Sequence, residues 1–306
     1  MESTEIDKDE PAQAPMKKNE TVADSRATGL LTPQGCATCD GAAGINGVSA
    51  MEPAFIYALG QIEARFPSLA VEKEFAQATG RTETKGQTDR QAFHSVLLQR
   101  EHRYLARQLC WVLAIQNLDT YILMPRDPAD LDLLIQVLEP RSNPWINAVI
   151  GIRGPIATPD RCNGLMVSIV GFDQIYTFDR ASLISAIPKP EKMTPKDFQP
   201  AAEELFDRIL LITDNAGATD EHRALNYLAM RYPAIYAKAA EEFARSCALV
   251  GIESRPCALS STGKLIDVIF SFTDRNTGFT DKFFVRVDVT GEFPFLVTKL
   301  SAYYDH

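Results

Sequence analysis

The sequence predicts a mixed fold in the α+β or α/β class, built as two domains. Two patterns support this prediction. Between Asp89 and Leu109 apolar residues recur at helical spacing, and two short apolar runs follow at 110–116 and 120–125. In the C-terminal third the spacing changes from helical to alternating, which is typical of three helices followed by an antiparallel β-meander.

Composition bounds the class of protein. The chain has 306 residues, a hydrophobic content of 45% and a formal net charge of −9. An acidic chain is a poor partner for nucleic acid or anionic membranes, because both require a basic surface. The sequence shows no signal peptide and no run near the roughly twenty apolar residues of a membrane helix. We therefore expect a cytoplasmic protein whose six cysteines are reduced thiols or metal ligands.

Residues 1–50 are predicted to form a disordered acidic tail. They are rich in Glu, Lys, Asp, Ala, Gly and Thr, and cannot bury enough apolar surface to offset the entropy lost on ordering. Cys36 and Cys39 in this tail form a Cys-x-x-Cys pair, which is half of a tetrahedral zinc site. Three interpretations are open: no bound role, a zinc clip completed by other ligands, or a redox or attachment site.

The first domain is predicted to span 51–187. Ser68 is a suitable N-cap and Gly80 a suitable end for an early helix, and the apolar runs after the long helix of Asp89 are expected to pair as a hairpin. A strand or short helix is expected at 55–67, helices at 69–80 and 89–109, and the hairpin at 110–125. A helix follows at 129–138, and two short apolar runs at 146–152 and 165–170 flank a long loop. The domain ends with a strand or turn at 172–178 and a short helix at 179–187.

A linker is predicted at 188–200, where four prolines in thirteen positions fix backbone angles and remove hydrogen-bond donors. The C-terminal domain then covers 201–306. Apolar spacing predicts three helices at 201–213, 219–232 and 233–247, the third extending to Cys247. It predicts three strands at 266–272, 283–289 and 292–300, the first being that of Ile266.

The long loop between the two strands of the first domain contains the candidate site residues. Loops of this length within compact domains are often functional. Cys162 would become a thiol nucleophile if a histidine and an amide or carboxylate lay beside it; otherwise the loop is structural. No histidine lies nearby in the sequence. The polar residues of the candidate binding loop are Arg153, Asp160, Arg161 and Asn163.

Short catalytic motifs are missing from the sequence. It contains no phosphate-binding glycine loop, no Gly-x-Ser-x-Gly elbow and no His-Glu-x-x-His helix. This pattern favours a protein without catalytic activity.

Four stretches resemble a known family: FIYALGQIEARFPSLAVEKEFAQATGR at 55–81, the segment from TDRQAFHSVLLQ at 88–134, VIGIRGPIATPDRCNGLMVSIVGFDQIYTFD at 149–179, and the segment from DVIFSFTDRNTGF at 267–305. Together they resemble the C-terminal region of the PatA/PatG-type cyanobactin maturation proteases, a region of unassigned function. In that family a subtilisin-like protease precedes this region, and its Asp, His and Ser motifs have no counterpart here. No catalytic residue is therefore carried over.

The resemblance implies a role in the maturation of ribosomally made, modified peptides. Our first hypothesis is a non-catalytic accessory module that binds a precursor peptide or a maturation enzyme and self-associates. The second is a peptide-processing enzyme that uses Cys162 or a zinc site. The third is a structural homodimer held by zinc through Cys36 and Cys39. In that case the Cys36→Ser/Cys39→Ser protein should lose metal content and dimerisation together.

Overall fold

The computed structural model describes residues 53–81, 87–141, 145–186, 195–212, 214–257 and 263–304. The predicted tail with Cys36 and Cys39, and the linker as far as residue 194, lie outside the described residues. From Pro53 onward the chain forms one compact unit. The division into domains at 51–187 and 201–306 stays a prediction. None of the helices in the described ranges is both long enough and apolar enough to cross a bilayer.

The described elements comprise nine strands, eight α-helices and a short 3₁₀ turn, which confirms the mixed fold class. In chain order they are β1 Phe55–Arg65, α1 Leu69–Arg81, α2 Asp89–Leu97, α3 Leu105–Gln108, β2 Cys110–Ile115, β3 Leu118–Pro125, the 3₁₀ turn Pro128–Asp130, α4 Leu131–Val137, β4 Trp145–Ile156, β5 Ser168–Asp179, α5 Arg180–Ala186, α6 Pro195–Leu210, α7 Asp220–Arg231, α8 Ala234–Ala244, β6 Cys247–Pro256, β7 Leu265–Asp274, β8 Thr280–Asp288 and β9 Phe295–Ala302.

The first five strands close into a barrel in the order β1-β2-β3-β5-β4, and β4 pairs back onto β1. All neighbouring pairs are antiparallel except β3 and β5. A closed five-stranded Greek key with a helix between β3 and β4 is the arrangement of an OB-type barrel. Alternate side chains fill its interior, among them Ile62, Leu113, Leu123, Val149 and Phe172, which are at most 4% exposed.

The predicted hairpin is confirmed as β2 and β3. Gln116 and Asn117 connect the strands with φ of 51° and 63°, which are the positive angles that a two-residue turn between right-twisted strands requires. The turn therefore projects as a short polar tip from the rim of the barrel.

The long helix predicted at 89–109 is wrong as a single element. The structure has α2 and α3 with turns at 98–104 between them. The reason is a gap in the apolar spacing. Leu98 is 62% exposed, and charged residues stand at positions 100, 101 and 103, where the apolar face of the helix would have to continue. The chain turns instead, and Leu105 and Ala106 return to the core.

The C-terminal half places three helices between the barrel and a second sheet. One buried cluster joins Tyr57, Leu59, Ala148 and Ile150 on the outer face of β1 and β4 to helices α6, α7 and α8 and to β6–β9. The second sheet is antiparallel in the order β6-β7-β8-β9, so the predicted meander is confirmed. Helices and both sheets therefore share one core, which crosses the boundary that the sequence analysis placed at the prolines.

Two boundaries in this half differ from the prediction. Helix α6 begins at Pro195 inside the predicted linker, because proline needs no donor in a first turn and Phe198 is buried at 1% exposure. Cys247 begins β6 rather than ending the third helix, because Ser246 at φ 68° reverses the chain. A register shift between Leu249 and Gly251 interrupts the alternation of β6, which hid this strand from the sequence analysis.

Candidate functional site

A cleft of about 360 Å³ lies on the outer face of β1 and β2, beside the β2–β3 turn and the end of α6. This volume lies within the range of small-molecule and peptide side-chain sites. Apolar side chains from both halves of the chain form its floor: Leu59, Ile115, Ile146, Phe206 and Leu210. Leu211 is 69% exposed, so apolar surface remains open to solvent at the cleft mouth.

An ion-pair network forms one wall of the cleft. The two terminal nitrogens of Arg65 donate to the carboxylate of Asp119 at 2.6 and 2.7 Å, and one of them also donates to Glu63 at 2.8 Å. The hydrogen bonds that Arg65 donates to Asp119, and then to Glu63, raise the pKa of Arg65. The wall therefore has a guanidinium held rigidly by two carboxylates, a polar surface that suits backbone and charged groups of a ligand.

Two hydrogen bonds join the β2–β3 turn to the end of α6 beside the cleft. The side-chain amide of Gln116, in the β2–β3 turn, donates to the carbonyl of Leu210 at 2.8 Å and to that of Ile212 at 3.3 Å. These carbonyls belong to the C-terminal end of α6, where carbonyl groups lack helical partners. Gln116 thus joins the end of α6 to the barrel beside the cleft.

Trp145 lines the cleft opposite this turn. The guanidinium of Arg90 stacks on its ring at 4.2 Å, and Arg90 also donates to the carbonyls of Ile62 and Val137. Burial, followed by the charge of Arg141, lowers the pKa of Arg90 to about 10. The indole nitrogen of Trp145 is buried and has no hydrogen-bond partner among the described residues.

A comparison with protein-family models identifies the family of this chain. The family model described as "PatG Domain" matches residues 55–255, which is more than half of the chain. This chain belongs to the PatG domain family. A solved structure titled "PatG Domain of Unknown Function" has a TM-score of 0.68 at 20% identity, with 82% of this chain and 99% of that chain covered. No curated protein sequence matches the chain.

The family match confirms the resemblance stated above and shows a PatG-type domain of unknown function. The structural likeness, at 20% identity, adds the fold alone. The match covers the barrel, the helical layer and β6, so every element that lines the cleft lies inside the PatG domain.

The predicted loop residues lie elsewhere on the barrel, and none of them lines the cleft. Arg153 is on β4, where its backbone N–H donates to the carbonyl of Ala54 at 2.8 Å. Asp160, Arg161 and Asn163 are exposed in the β4–β5 loop. The hydroxyl of Thr158 and a backbone N–H donate to the carboxylate of Asp160 and hold its pKa below the usual range. These groups stabilise a turn, and whether they bind a ligand stays a prediction.

Cys162 forms a disulfide with Cys110 of β2. The expectation that all six cysteines are thiols or metal ligands is therefore wrong for this pair. The physical reason is the path of the loop, which brings Cα atoms separated by 52 positions to 5.7 Å, inside the range that a disulfide spans. A bonded sulfur cannot act as a thiolate nucleophile, so the enzyme hypothesis for Cys162 would require the reduced pair.

A third group of polar residues joins the barrel to the C-terminal sheet. Arg126, just after β3, pairs with Asp173 of β5 and lies 3.3 Å from the carboxylate of Glu292, just before β9. Burial and the adjacent carboxyl group of Asp173 raise the pKa of Glu292 to about 7, against the opposing charge of Arg126. Within the described ranges no three His, Cys, Asp or Glu side chains are grouped to hold a metal ion.

The sequence analysis did not identify the residues of the cleft. Its walls come from β1, the β2–β3 turn, the start of β4 and the end of α6, which are as far apart as Leu59 and Leu211 in the chain. One local signal existed: Gln116 and Asn117 form a polar tip between two apolar strands. That signal predicts a turn but does not say what the turn contacts.

Proposed function

We propose that this PatG-family chain is a non-catalytic accessory module that binds an extended precursor peptide during maturation of cyanobactin-like modified peptides. The supporting observation is the cleft itself, which is preformed, apolar at its floor and ionic at one wall. Sites of this kind take apolar side chains on the floor and fix the orientation of the ligand through a few polar groups. The maturation setting comes from the family resemblance of the sequence, whereas the matched family description names a domain and no function.

Trp145 offers a direct measurement of this binding. The chain has two tryptophans, and Trp111 is 3% exposed inside the barrel, so Trp111→Phe leaves one reporter at the cleft. A precursor peptide that enters the cleft should change the emission of Trp145 in a saturable way. The titration is to be repeated with candidate maturation enzymes, which are the other partner that the family setting suggests.

Two matched variants show whether a signal comes from the cleft. Leu211→Asp places a charge at the cleft mouth, and Leu98→Asp places one at a similarly exposed leucine of the α2–α3 turn: the exposed fractions are 69% and 62%. We expect peptide affinity to fall roughly tenfold in Leu211→Asp and to be unchanged in Leu98→Asp. Saturable binding that responds equally to both variants would place the peptide elsewhere, and silence against every peptide would refute the proposal.

A further inference from the structure

The β4–β5 loop is a compact unit that rests on the outer face of the barrel. Its ends meet where the N–H of Ala157 donates to the carbonyl of Val167 at 2.9 Å. Three more backbone hydrogen bonds join Arg161 to Thr158, Gly164 to Pro159 and Leu165 to Cys162. Compact loops with closed ends, packed by their own side chains, are frequently functional.

All four of these hydrogen bonds lie inside the loop, and among the described residues none joins its backbone to β2 or β3. The loop contacts the barrel through side chains alone. A small buried cluster, separate from the two main cores, places Ala157 and Cys162 against Cys110, Val112 and Ile122. Leu165, Val167 and Ile169 pack around this cluster and are only partly buried. The disulfide between Cys110 and Cys162 is thus the one covalent tie between loop and face.

The position of the loop matters because of the barrel topology. OB-type barrels bind their ligands on the face of strands two and three, between the loops that border this face. Here the outer side chains of that face, Val112 of β2 and Ile122 of β3, are 0% and 4% exposed beneath the β4–β5 loop. The loop therefore covers part of the face that such barrels usually present, at Val112 and Ile122.

We propose that the β4–β5 loop is a redox-released cover of the β2–β3 face. In the disulfide form the loop is tied down and the face is closed. A dithiol reductant opens it: one thiolate attacks a sulfur of the pair, the S–S bond breaks, and the second thiol of the reductant closes its own disulfide. Cys110 and Cys162 are left as two thiols, and an oxidant of the disulfide class reverses the reaction.

This device goes beyond the proposed peptide binding, because the residues of the covered face, Cys110, Val112 and Ile122, do not line the cleft. Both cysteines are buried while the loop lies on the barrel. A reductant therefore reaches the S–S bond during brief local fluctuations of the loop, and the loop is released once the bond is broken. The loop opens without breaking any described backbone hydrogen bond to β2 or β3. Apolar contacts, the contact of the Arg161 guanidinium with the sulfur of Met124 on β3, and the disulfide hold it in place.

Limited trypsin digestion tests the proposal on the full chain. Arg161 is an exposed cleavage site in the middle of the loop, and Arg275 in the β7–β8 turn is an exposed reference site in the same molecule. Reduction with dithiothreitol should accelerate cleavage after Arg161 at least about tenfold and leave cleavage after Arg275 unchanged, since only the loop is released. Cys162→Ser should be cleaved fast at Arg161 from the start, with no further response to reductant. Cys110→Ser is the second variant and should behave in the same way.

Each other result contradicts the proposal. Equal cleavage after Arg161 in the oxidised and reduced protein, with reduction verified by thiol labelling, would show that the disulfide does not hold the loop. Acceleration at both sites would show global unfolding instead of local release. Peptide mapping that finds no Cys110–Cys162 link in protein treated with oxidised glutathione would remove its basis.

Discussion

The outer surface of the barrel is covered in two different ways. On β1 and β4, helices α6 and α7 bury side chains such as Tyr57 and Ile150 within a cluster that extends to the second sheet. On β2 and β3, a single loop buries Val112 and Ile122 in a cluster with only five fully buried members. Among the described residues no disulfide joins the helical layer to the barrel, whereas the β4–β5 loop is bonded to β2 through the disulfide of Cys110 and Cys162.

This difference teaches how much apolar surface a cover needs. Burial contributes roughly 25 cal/mol per Å², so a layer of several helices stabilises its own position many times over. A loop with a handful of apolar contacts gains little against the entropy of ordering it. A disulfide supplies the missing stability by restricting the unfolded chain, and it also makes that stability dependent on redox conditions.

The largest effect is expected under the helical cover. Leu228 of α7 is 0% exposed in the shared cluster, so Leu228→Ala should lower the free energy of unfolding by about 2–5 kcal/mol through lost burial and a residual cavity. Urea denaturation measures the change. Leu211→Ala, at a leucine that is 69% exposed, is the control and should stay within about 0.5 kcal/mol of the parent. Similar losses for both variants would contradict the packing described here.

The next effect concerns the loop cover. The disulfide closes a segment of 52 positions, and its reduction should lower the free energy of unfolding by about 2–4 kcal/mol. Urea midpoints with and without dithiothreitol measure this loss. Cys162→Ser should match the reduced parent and ignore the reductant, while Cys247→Ser, at a free buried thiol, should retain the full response. A response in Cys162→Ser would assign the effect to another cysteine.

The smallest effect comes from the polar junction of Arg126, Asp173 and Glu292. The pKa of Glu292 is raised to about 7 in the folded protein, from its usual 4.5. The folded state therefore binds this proton more tightly, so stability is fully present below about pH 4.5 and is lost as the pH rises toward 7. We expect a loss of about 1–2 kcal/mol, because the group is partly solvated.

Glu292→Gln removes the titrating group and should flatten this part of the stability profile, measured by urea denaturation between pH 4.5 and 7.5. Asp288→Asn, at a carboxylate on the neighbouring strand β8, is a suitable control and should retain the slope. A slope that survives Glu292→Gln would assign the titration to another carboxyl group.

The sequence by itself determined the local elements. Alternating apolar residues in 266–272 and 283–289 correspond to β7 and β8, and the polar tip at Gln116 and Asn117 forms the hairpin turn, because these patterns depend on neighbours in the chain. The same residues carried the family resemblance that the PatG domain match confirms. Where a bulge or a reversal interrupted the pattern, as at Ser246 and Gly251, the local signal failed.

Only the tertiary structure decided what these elements enclose. Closure of the barrel, the pairing of Cys110 with Cys162, and the cleft between Gln116 and the end of α6 all depend on contacts between distant segments. A single sequence states which residues are apolar or polar, but the partner of each depends on the summed packing of the whole chain. For that reason the sequence indicated a functional loop at Cys162 but not the face that this loop covers.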